Sequence, residues 1–316
     1  MASPPLSQVA RPDLRVQIGR LTLSNPVTVA SGTFGYGLEY SPFYDPARLG
    51  AIFLKGLTLE DRAGNPPQRL VETPSGLINA IGLQNVGYRR FLDEKLPALA
   101  ALPGAIVANI CGESVEEYVE LAERLSAYPR IDALELNISC PNVKRGCIQF
   151  GSDPRQTEEV TRAVVAVTDR PVIVKLSPNV TSIPAMARAV EAGGAAAVSL
   201  VNTFVAMAID VKTRRPRLAN VTGGLSGPAI RPIAVRMVWE AYQAVKIPII
   251  GMGGISTTAD ALEFFIAGAS AISVGTANFV QPTAPVEILD GLEAYLRQAA
   301  LGSIAELVGS LRIDPA

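Results

Sequence analysis

The chain has 316 residues, of which 48% are hydrophobic and 18% charged, and its 28 basic residues nearly balance its 29 acidic ones. A chain of this length and hydrophobicity can bury enough apolar surface to fold without disulfides, so a disordered protein is excluded. The absence of histidine excludes a Ser-His-Asp or Cys-His nucleophile, a His-ligated metal and an imidazole base. The net charge of −1 argues against nucleic-acid binding.

The three cysteines, Cys111, Cys140 and Cys147, limit the redox chemistry of the chain. They are too few for a disulfide framework or for the four-thiolate cradle of an iron–sulfur cluster. With no signal-peptide pattern at the N-terminus, a reduced cytoplasmic protein is expected, with no metal site. The uncharged run at residues 264–286 contains two glycines and two prolines. It therefore predicts a helix end, a strand and a loop rather than a bilayer span.

Strand-like and helix-like segments alternate along the chain. Residues 14–27 predict a two-stranded hairpin. Eight short apolar runs then predict strands that are covered on both faces, because their hydrophobicity is continuous rather than alternating. These runs cover residues 27–30, 51–55, 105–109, 133–137, 172–175, 197–201, 248–251 and 271–274.

The helices between these runs have recognisable start signals. Ser114 and Glu117 have the spacing of a capping box before an amphipathic segment. Asp153 followed by Pro154 supplies an N-cap and a first-turn proline. Pro228 and residues 257–260 predict two further helix starts.

The alternation of eight strands with helices predicts a (β/α)₈ barrel. We expect one domain over residues 1–316, with the N-terminal hairpin across the bottom of the barrel. A doubly wound open sheet is the main alternative, although no early G-x-G-x-x-G turn supports it. Two connections, between residues 55 and 105 and between residues 201 and 248, are longer than one helix requires. The second alternates around a basic turn, which predicts an inserted hairpin; both begin at a strand's carboxyl end, where barrels build active sites.

Lysines and glycines follow several of the predicted strands. Lys55 and Lys175 end two apolar runs, where they either extend to solvent or a salt bridge or point into the barrel mouth toward an anionic ligand. The glycines at 251–254 and at 275, before Thr276, end the last two strands, where barrels commonly bind phosphate. Plain turns are the alternative interpretation of these glycines.

Cys140 is the candidate proton acceptor of the sequence. It lies in the segment NISCPN, directly after a predicted strand, and its neighbours are typical of a loop. A small buried residue is the alternative, since free cysteines are usually buried. In a chain without histidine, a loop cysteine at this position is a credible general base or nucleophile. Cys111 is expected to be structural, and Cys147 fits either role.

A set of motifs distributed over nearly the whole chain resembles the class 1B dihydroorotate dehydrogenase family, the FMN-containing catalytic subunits. The motifs are ASGTFGYG, FLKGLTLEDRAGNPPQR, LINAIGLQNVG, NISCPNVKRG, VKLSPNV, VNTFVAMAID, GGLSGPAIRP, GMGGI and VGTANF. The resemblance implies an FMN-bearing (β/α)₈ barrel that oxidises dihydroorotate in pyrimidine biosynthesis. The family commonly has two adjacent glycines where this chain has Gly146 and Cys147.

The resemblance also assigns residues to roles. It implies that Cys140 is the catalytic base. The residues that would hold FMN, one per chain, are Ser31, Lys55, Gly56, Asn109, Asn137, Lys175, Val201, Gly227, Gly253, Gly254, Gly275 and Thr276. Those that would bind the substrate are Lys55, Asn79, Ala80, Ile81, Gly82, Leu83, Asn137, Asn202 and Thr203.

The resemblance further implies a partner. Electrons would pass to NAD⁺ through a subunit that carries FAD and a [2Fe–2S] cluster, with a homodimer of this chain inside a heterotetramer. No nucleic acid or membrane is expected as a partner. The alternatives are a fumarate-using class 1A enzyme, a flavin barrel that reduces tRNA uridines, and a non-redox phosphate-binding or scaffolding barrel. A tRNA-binding protein would need a more basic surface.

Overall fold

The computed structural model describes residues 11–139 and 150–313. It begins with the predicted hairpin, strands β1 (Val16–Ile18) and β2 (Leu21–Leu23), which pair antiparallel. Gly19 makes the turn with a φ of 57°, and a Cβ there would approach the Cβ of Ala196 to 2.9 Å. Because Ala196 directly precedes a barrel strand, the hairpin packs against the N-terminal end of the barrel, as expected.

Eight parallel strands form a closed barrel. In their order around the barrel they are β3 (Val27–Val29), β4 (Ala51–Phe53), β7 (Ala105–Ile110), β8 (Ala133–Asn137), β9 (Val172–Lys175), β10 (Ala197–Leu200), β15 (Ile249–Met252) and β16 (Ala271–Val274). The last of them, β16, pairs with β3 and so closes the barrel. All eight predicted strands are present, and the closed sheet shows that the alternative of a doubly wound open sheet is wrong.

Every residue of these eight strands is buried. One face of each strand packs inside the barrel and the other lies under the helices, so both faces must be apolar. This is why the strands appear in the sequence as continuous apolar runs. The few polar residues inside these strands are therefore exceptions to the apolar pattern.

The helices surround the barrel between the strands. They are α1 (Gly87–Arg90), α2 (Val115–Ser126), α3 (Pro154–Val165), α4 (Ile183–Ala192), α5 (Arg231–Tyr242), α6 (Thr258–Ala267), α7 (Ala277–Val280) and α8 (Ala284–Gln298). Short 3₁₀ segments lie at Pro46–Arg48, Leu96–Leu99, Pro228–Ile230 and Ile304–Leu307, and a π-helical segment at Phe91–Lys95.

The predicted helix starts are confirmed, with one difference in detail. The side chain of Asp153 accepts from the backbone N–H groups of Arg155 and Gln156. Thr257 and Asp260 form a complete capping box. Ser114 accepts from the N–H of Glu117, but the Glu117 carboxylate accepts from the N–H of Glu113. The reciprocal bond of the predicted box is therefore made one residue earlier in the chain.

A second sheet grows from the two long connections. Strands β5 (Leu70–Thr73) and β6 (Gly76–Asn79) come from the first, and β11 (Phe204–Met207) and β14 (Thr222–Ser226) come from the second. The sheet order is β11-β14-β6-β5, so β6 joins the two insertions. A short pair, β12 (Ile209–Asp210) and β13 (Arg215–Pro216), extends the second insertion. The predicted hairpin is confirmed, whereas the strands of the first insertion were not predicted.

The uncharged run at residues 264–286 contains the end of α6, strand β16, helix α7 and the start of α8. Within the described ranges, no helix combines the length and apolar character needed to cross a bilayer.

Candidate active site

A cavity of about 400 Å³ lies at the carboxyl ends of the barrel strands, between the barrel and the second sheet. It gathers most of the residues singled out from the sequence, although they come from seven strand ends and both insertions. Those on its wall are Ser31, Lys55, Asn79, Ile81, Gly82, Leu83, Asn137, Lys175, Val201, Asn202, Thr203, Gly227, Gly253, Gly254, Gly275 and Thr276.

Three of the predicted residues lie just behind this wall. Gly56 and Asn109 are neighbours, since a Cβ on Gly56 would be 2.8 Å from Oδ1 of Asn109. Ala80 is fully buried in a small apolar cluster of the second sheet with Ile78 and Leu218. The backbone of Ala80 is also engaged, because its N–H donates to the Arg69 oxygen over 2.8 Å and its oxygen accepts from Asn65 Nδ2 over 2.9 Å.

Of the three cysteines, only Cys111 lies within the described residues. Cys140 and Cys147 lie outside the described residues, and so does the Gly146–Cys147 departure from the family motif. Cys111 is 1% exposed, and Tyr118 Oη approaches its Sγ to 3.8 Å. Tyr118 also donates to the backbone oxygen of Asn137 over 2.8 Å, so this tyrosine connects helix α2 to the end of a barrel strand.

The charged side chains described on the cavity wall are all positive. Among the described residues on its wall there are two lysines, Lys55 and Lys175, and no aspartate or glutamate. Lys175 is only 6% exposed, and none of the ion pairs in the described ranges includes it. Burying an ammonium group is costly unless an anion or polar groups compensate it. The arrangement favours an anionic ligand over the alternative of a surface salt bridge.

The glycines converge at one end of the cavity. Gly227 and Gly254 have φ values of 99° and 79°, in the left-handed region that glycine adopts without strain. A Cβ on Gly254 would lie 2.8 Å from the backbone oxygen of Gly227 and 3.0 Å from the backbone nitrogen of Arg231. The same end holds Thr276, whose Cγ2 would be 3.6 Å from a Cβ on Gly227. Backbone segments that crowd together at the edge of a cavity in this way can bind a phosphate group through their N–H groups.

Polar side chains form a second feature of the cavity wall. Asn202 Nδ2 donates to Ser139 Oγ over 2.8 Å and to Asn137 Oδ1 over 3.4 Å. The backbone N–H of Thr203 donates to Asn202 Oδ1 over 2.9 Å, which sets the orientation of that amide. Asn79 Nδ2 donates to the backbone oxygen of Gly224 over 3.2 Å. The network provides fixed amide groups from the barrel and from the second sheet.

An aromatic cluster supports the loop after β3. The rings of Phe34 and Tyr40 stack with centroids 4.4 Å apart. Tyr40 Oη donates to the backbone oxygen of Thr33 over 2.9 Å. Burial is the main cause that raises the pKa of Tyr40, and the nearby Glu39 carboxylate raises it further. Its phenol therefore remains a donor at all ordinary pH values. Asn278 Nδ2 donates to Thr33 Oγ1 over 3.0 Å, so both sides of this loop are held.

Several residues on the wall were not predicted from the sequence. They include Thr33, Leu77, Ser226, Met252, Ser273 and Phe279. Ser226 and Leu77 reach the cavity because the second sheet folds over the barrel, which no local pattern reveals. Glu135, which is fully buried and does not line the cavity, was not singled out either, although a charged residue inside the apolar run of β8 is a signal that could have been noticed.

Comparison with known proteins identifies the family. The model of the family described as dihydroorotate dehydrogenase matches residues 13–296. The chain belongs to the dihydroorotate dehydrogenase family. Membership of this family shows that the alternative of a tRNA-reducing flavin barrel is wrong. The family consists of flavin-dependent oxidoreductases, so the alternative of a non-redox barrel is wrong as well.

Relatives within the dihydroorotate dehydrogenase family resemble the chain over nearly their whole length. A protein of Geotalea uraniireducens is 54% identical over 96% of this chain and 99% of its own length. Proteins of Desulforamulus reducens and Geobacillus kaustophilus are each 57% identical, over 95% and 94% of this chain and 99% and 95% of their own lengths. All three are named dihydroorotate dehydrogenase B (NAD(+)), catalytic subunit. These names confirm the resemblance to class 1B and not to the fumarate-using class.

Proposed function

We propose that this chain oxidises dihydroorotate to orotate in pyrimidine biosynthesis, with FMN in the cavity and Cys140 as the base. The observation that carries the proposal is the cavity wall, which has two lysines and no carboxylate among its described residues. Both molecules that the cavity would hold are anions, because FMN has a phosphate and dihydroorotate has a carboxylate. An electropositive enclosed site attracts such ligands.

Two groups of cavity residues support the proposal of FMN. The crowded backbone of Gly227 and Gly254 suits a phosphate, since a side chain at either position would meet neighbouring backbone. Lys175 suits the pyrimidine edge of the flavin ring, where negative charge accumulates on reduction. The proposed FMN-binding residues are Ser31, Lys55, Gly56, Asn109, Asn137, Lys175, Val201, Gly227, Gly253, Gly254, Gly275 and Thr276. When bound, FMN supplies the acceptor for the hydride that leaves C6 of dihydroorotate.

The proposed substrate site uses the amide network. Dihydroorotate presents a carboxylate and a ring with N–H and C=O groups, so it needs both donors and acceptors. Asparagine supplies both kinds of group, and hydrogen bonds to Ser139 and Thr203 hold Asn202 in place. The proposed substrate-binding residues are Lys55, Asn79, Ala80, Ile81, Gly82, Leu83, Asn137, Asn202 and Thr203.

Cys140 would remove the proton from C5 of the substrate. It follows Ser139 directly in the sequence, and Ser139 Oγ is part of the amide network at the cavity. A cysteine that is partly ionised near neutral pH can act as a general base in a chain that has no histidine.

Transfer of the electrons to NAD⁺ would require a second subunit. The relatives are named as catalytic subunits of an NAD⁺-dependent enzyme, and a catalytic subunit implies a partner. This chain has no Rossmann glycine turn for a dinucleotide, and its three cysteines are too few for an iron–sulfur cluster. The proposed partner carries FAD and a [2Fe–2S] cluster, with a homodimer of this chain at the centre of a cytoplasmic heterotetramer.

The flavin spectrum of the purified chain tests the proposal. The protein should be yellow, denaturation should release FMN into the supernatant, and anaerobic dihydroorotate should bleach the bound flavin. A colourless protein that FMN cannot reconstitute would refute the proposal. If FMN binds but dihydroorotate does not bleach it, the proposed cofactor is supported and the proposed substrate is wrong.

A further inference from the structure

Glu135 occupies a position where a charged residue is unexpected. It is the central residue of β8 (Ala133–Asn137), in which all five residues are buried, and it is itself 0% exposed. A carboxylate inside a barrel is costly unless hydrogen bonds or a cation compensate it. Among the ion pairs of the described residues, none includes Glu135. Hydrogen bonds must therefore hold it.

Each carboxylate oxygen of Glu135 has one donor. Ser199 Oγ donates to Oε1 over 2.6 Å, and Asn109 Nδ2 donates to Oε2 over 2.6 Å. Asn109 lies on the adjacent strand β7, opposite Glu135 in the register, whereas Ser199 lies on β10, two strands away. The three side chains thus bridge the interior of the barrel just below the cavity, where Asn137 of the same strand forms part of the wall.

This network decides which way the Asn109 amide faces. Because Asn109 Nδ2 donates to Glu135 Oε2, the NH₂ group of Asn109 faces Glu135 and its oxygen faces away. That oxygen, Oδ1, is buried and has no hydrogen-bond partner within the described part of the chain. It lies beside Gly56, where a Cβ would come within 2.8 Å of it, and Gly56 directly follows the cavity residue Lys55. Unpartnered buried acceptors are rare in folded proteins.

We propose that Glu135, supported by Ser199, is a positioning residue that presents the Asn109 amide oxygen to the imide N–H of the flavin ring. The inference rests on the proposed FMN site. The pyrimidine part of oxidised flavin has one N–H donor, which lies between two carbonyl acceptors. An asparagine free to rotate could offer its NH₂ group to that donor and repel it. The fixed amide offers only the acceptor, and the bound flavin would give Oδ1 its missing partner.

A neutral amide at position 135 should preserve this geometry. In Glu135→Gln, the amide oxygen can still accept from Asn109 Nδ2, while its NH₂ group donates to the Ser199 hydroxyl, which accepts as readily as it donates. In Glu135→Leu, the Asn109 amide loses its partner and is no longer oriented. The two variants therefore separate hydrogen bonding from mere filling of space.

The test measures the affinity of the apoprotein for FMN, by quenching of flavin fluorescence, and the absorption spectrum of the bound flavin. The variants are Glu135→Gln, Glu135→Leu, Ser199→Ala and Asn109→Leu, together with the double variants Glu135→Leu/Asn109→Leu and Ser199→Ala/Asn109→Leu. Thr28→Val is the matched control, because it removes another fully buried hydrogen bond of the barrel, from Thr28 Oγ1 to the backbone oxygen of Ile272.

We expect Glu135→Leu to weaken FMN binding about tenfold, the order of one lost hydrogen bond, and to shift the flavin spectrum. In the Asn109→Leu background it should cause no further loss, since Glu135 acts through Asn109. Glu135→Gln should bind FMN within about threefold of the unchanged chain, allowing for an imperfect fit of the amide. Thr28→Val should lower stability while leaving the affinity and the spectrum unchanged.

The positioning role would be overturned if the losses of FMN affinity multiply in the double variants. It would also be overturned if Glu135→Gln binds FMN as weakly as Glu135→Leu. If Glu135→Leu does not fold, the cycle of Ser199→Ala with Asn109→Leu decides the same question. Ser199→Ala should then weaken FMN binding alone and have no effect beside Asn109→Leu. If the wild-type chain binds no FMN, the proposed cofactor is wrong. That result distinguishes failure of the proposed function from failure of this inference.

Discussion

The hydroxyl of Thr276 donates to the hydroxyl of Ser226 over 2.7 Å. Thr276 follows the last barrel strand, β16, whereas Ser226 ends strand β14 of the second sheet. The bond therefore ties the second sheet to the barrel beside Gly227 and Gly275, at the proposed phosphate end of the cavity. The residues that would hold the cofactor and the sheet that covers it form one connected unit.

Two glycine substitutions should separate folding from phosphate binding. Gly254→Ala places a side chain at a φ of 79° and against the backbone of Gly227 and Arg231, so it should cost about 1–2 kcal/mol of stability as well as FMN affinity. Gly275→Ala would contact only the Cβ of Ala30 at 3.7 Å, so the fold should tolerate it. If Gly275 borders the phosphate, this variant should lose FMN with little change in Tm. Thermal unfolding and the flavin content of the purified variants measure both effects, and equal losses of Tm would contradict the distinction.

Removing the charge of Lys175 should lower the reduction potential of the bound flavin. Two unit charges about 4 Å apart interact by roughly 4 kcal/mol at an effective dielectric constant of about 20. Lys175→Met should therefore shift the two-electron potential by on the order of 30–90 mV to more negative values. Dye equilibration during anaerobic reduction measures the shift. Lys246→Met, which changes an exposed lysine, is the control and should leave the potential unchanged.

Cys140→Ser should nearly abolish turnover at neutral pH while FMN stays bound. A hydroxyl is a far weaker base than a thiolate, and a positioned base contributes roughly 10²–10⁴-fold. Because an ordinary cysteine thiol ionises near pH ~8.5, the activity of the unchanged chain should rise with pH through the neutral range. Stopped-flow bleaching of the flavin by dihydroorotate measures the step directly.

The second cysteine of the same segment provides the comparison. Cys147→Gly restores the two adjacent glycines that the family commonly has, and it should retain most of the activity. An essential Cys147 beside a dispensable Cys140 would show that the base has been assigned to the wrong residue.

The isolated chain should not reduce NAD⁺ efficiently. Dihydroorotate should bleach its flavin without forming NADH, because the chain has no dinucleotide turn of the Rossmann type. Addition of the purified electron-transfer subunit should restore NADH formation, followed by absorbance at its characteristic wavelength. Rapid NADH formation by the chain alone would contradict the proposed division of labour between two subunits.

The sequence by itself determined the eight barrel strands and four of the eight helix starts. Both depend on local physics: strands covered on two faces need continuous apolar runs, and an N-cap such as Asp153 satisfies N–H groups only two or three residues away. Polar and glycine residues after the strands predicted where the site would lie, since all parallel strands end on the same side of a barrel. The motifs predicted the family, which the comparisons confirmed.

The tertiary structure alone decided how distant segments meet. Asn79 bonds to Gly224 across 145 residues of sequence, and the two insertions form one sheet because β6 pairs with β14. No local pattern encodes such a pairing, because its free energy comes from contacts that exist only once the barrel has closed. The same holds for Glu135, whose partners Asn109 and Ser199 lie on other strands. The sequence shows a carboxylate in an apolar strand, and the closed barrel supplies the two hydrogen bonds that stabilise it there.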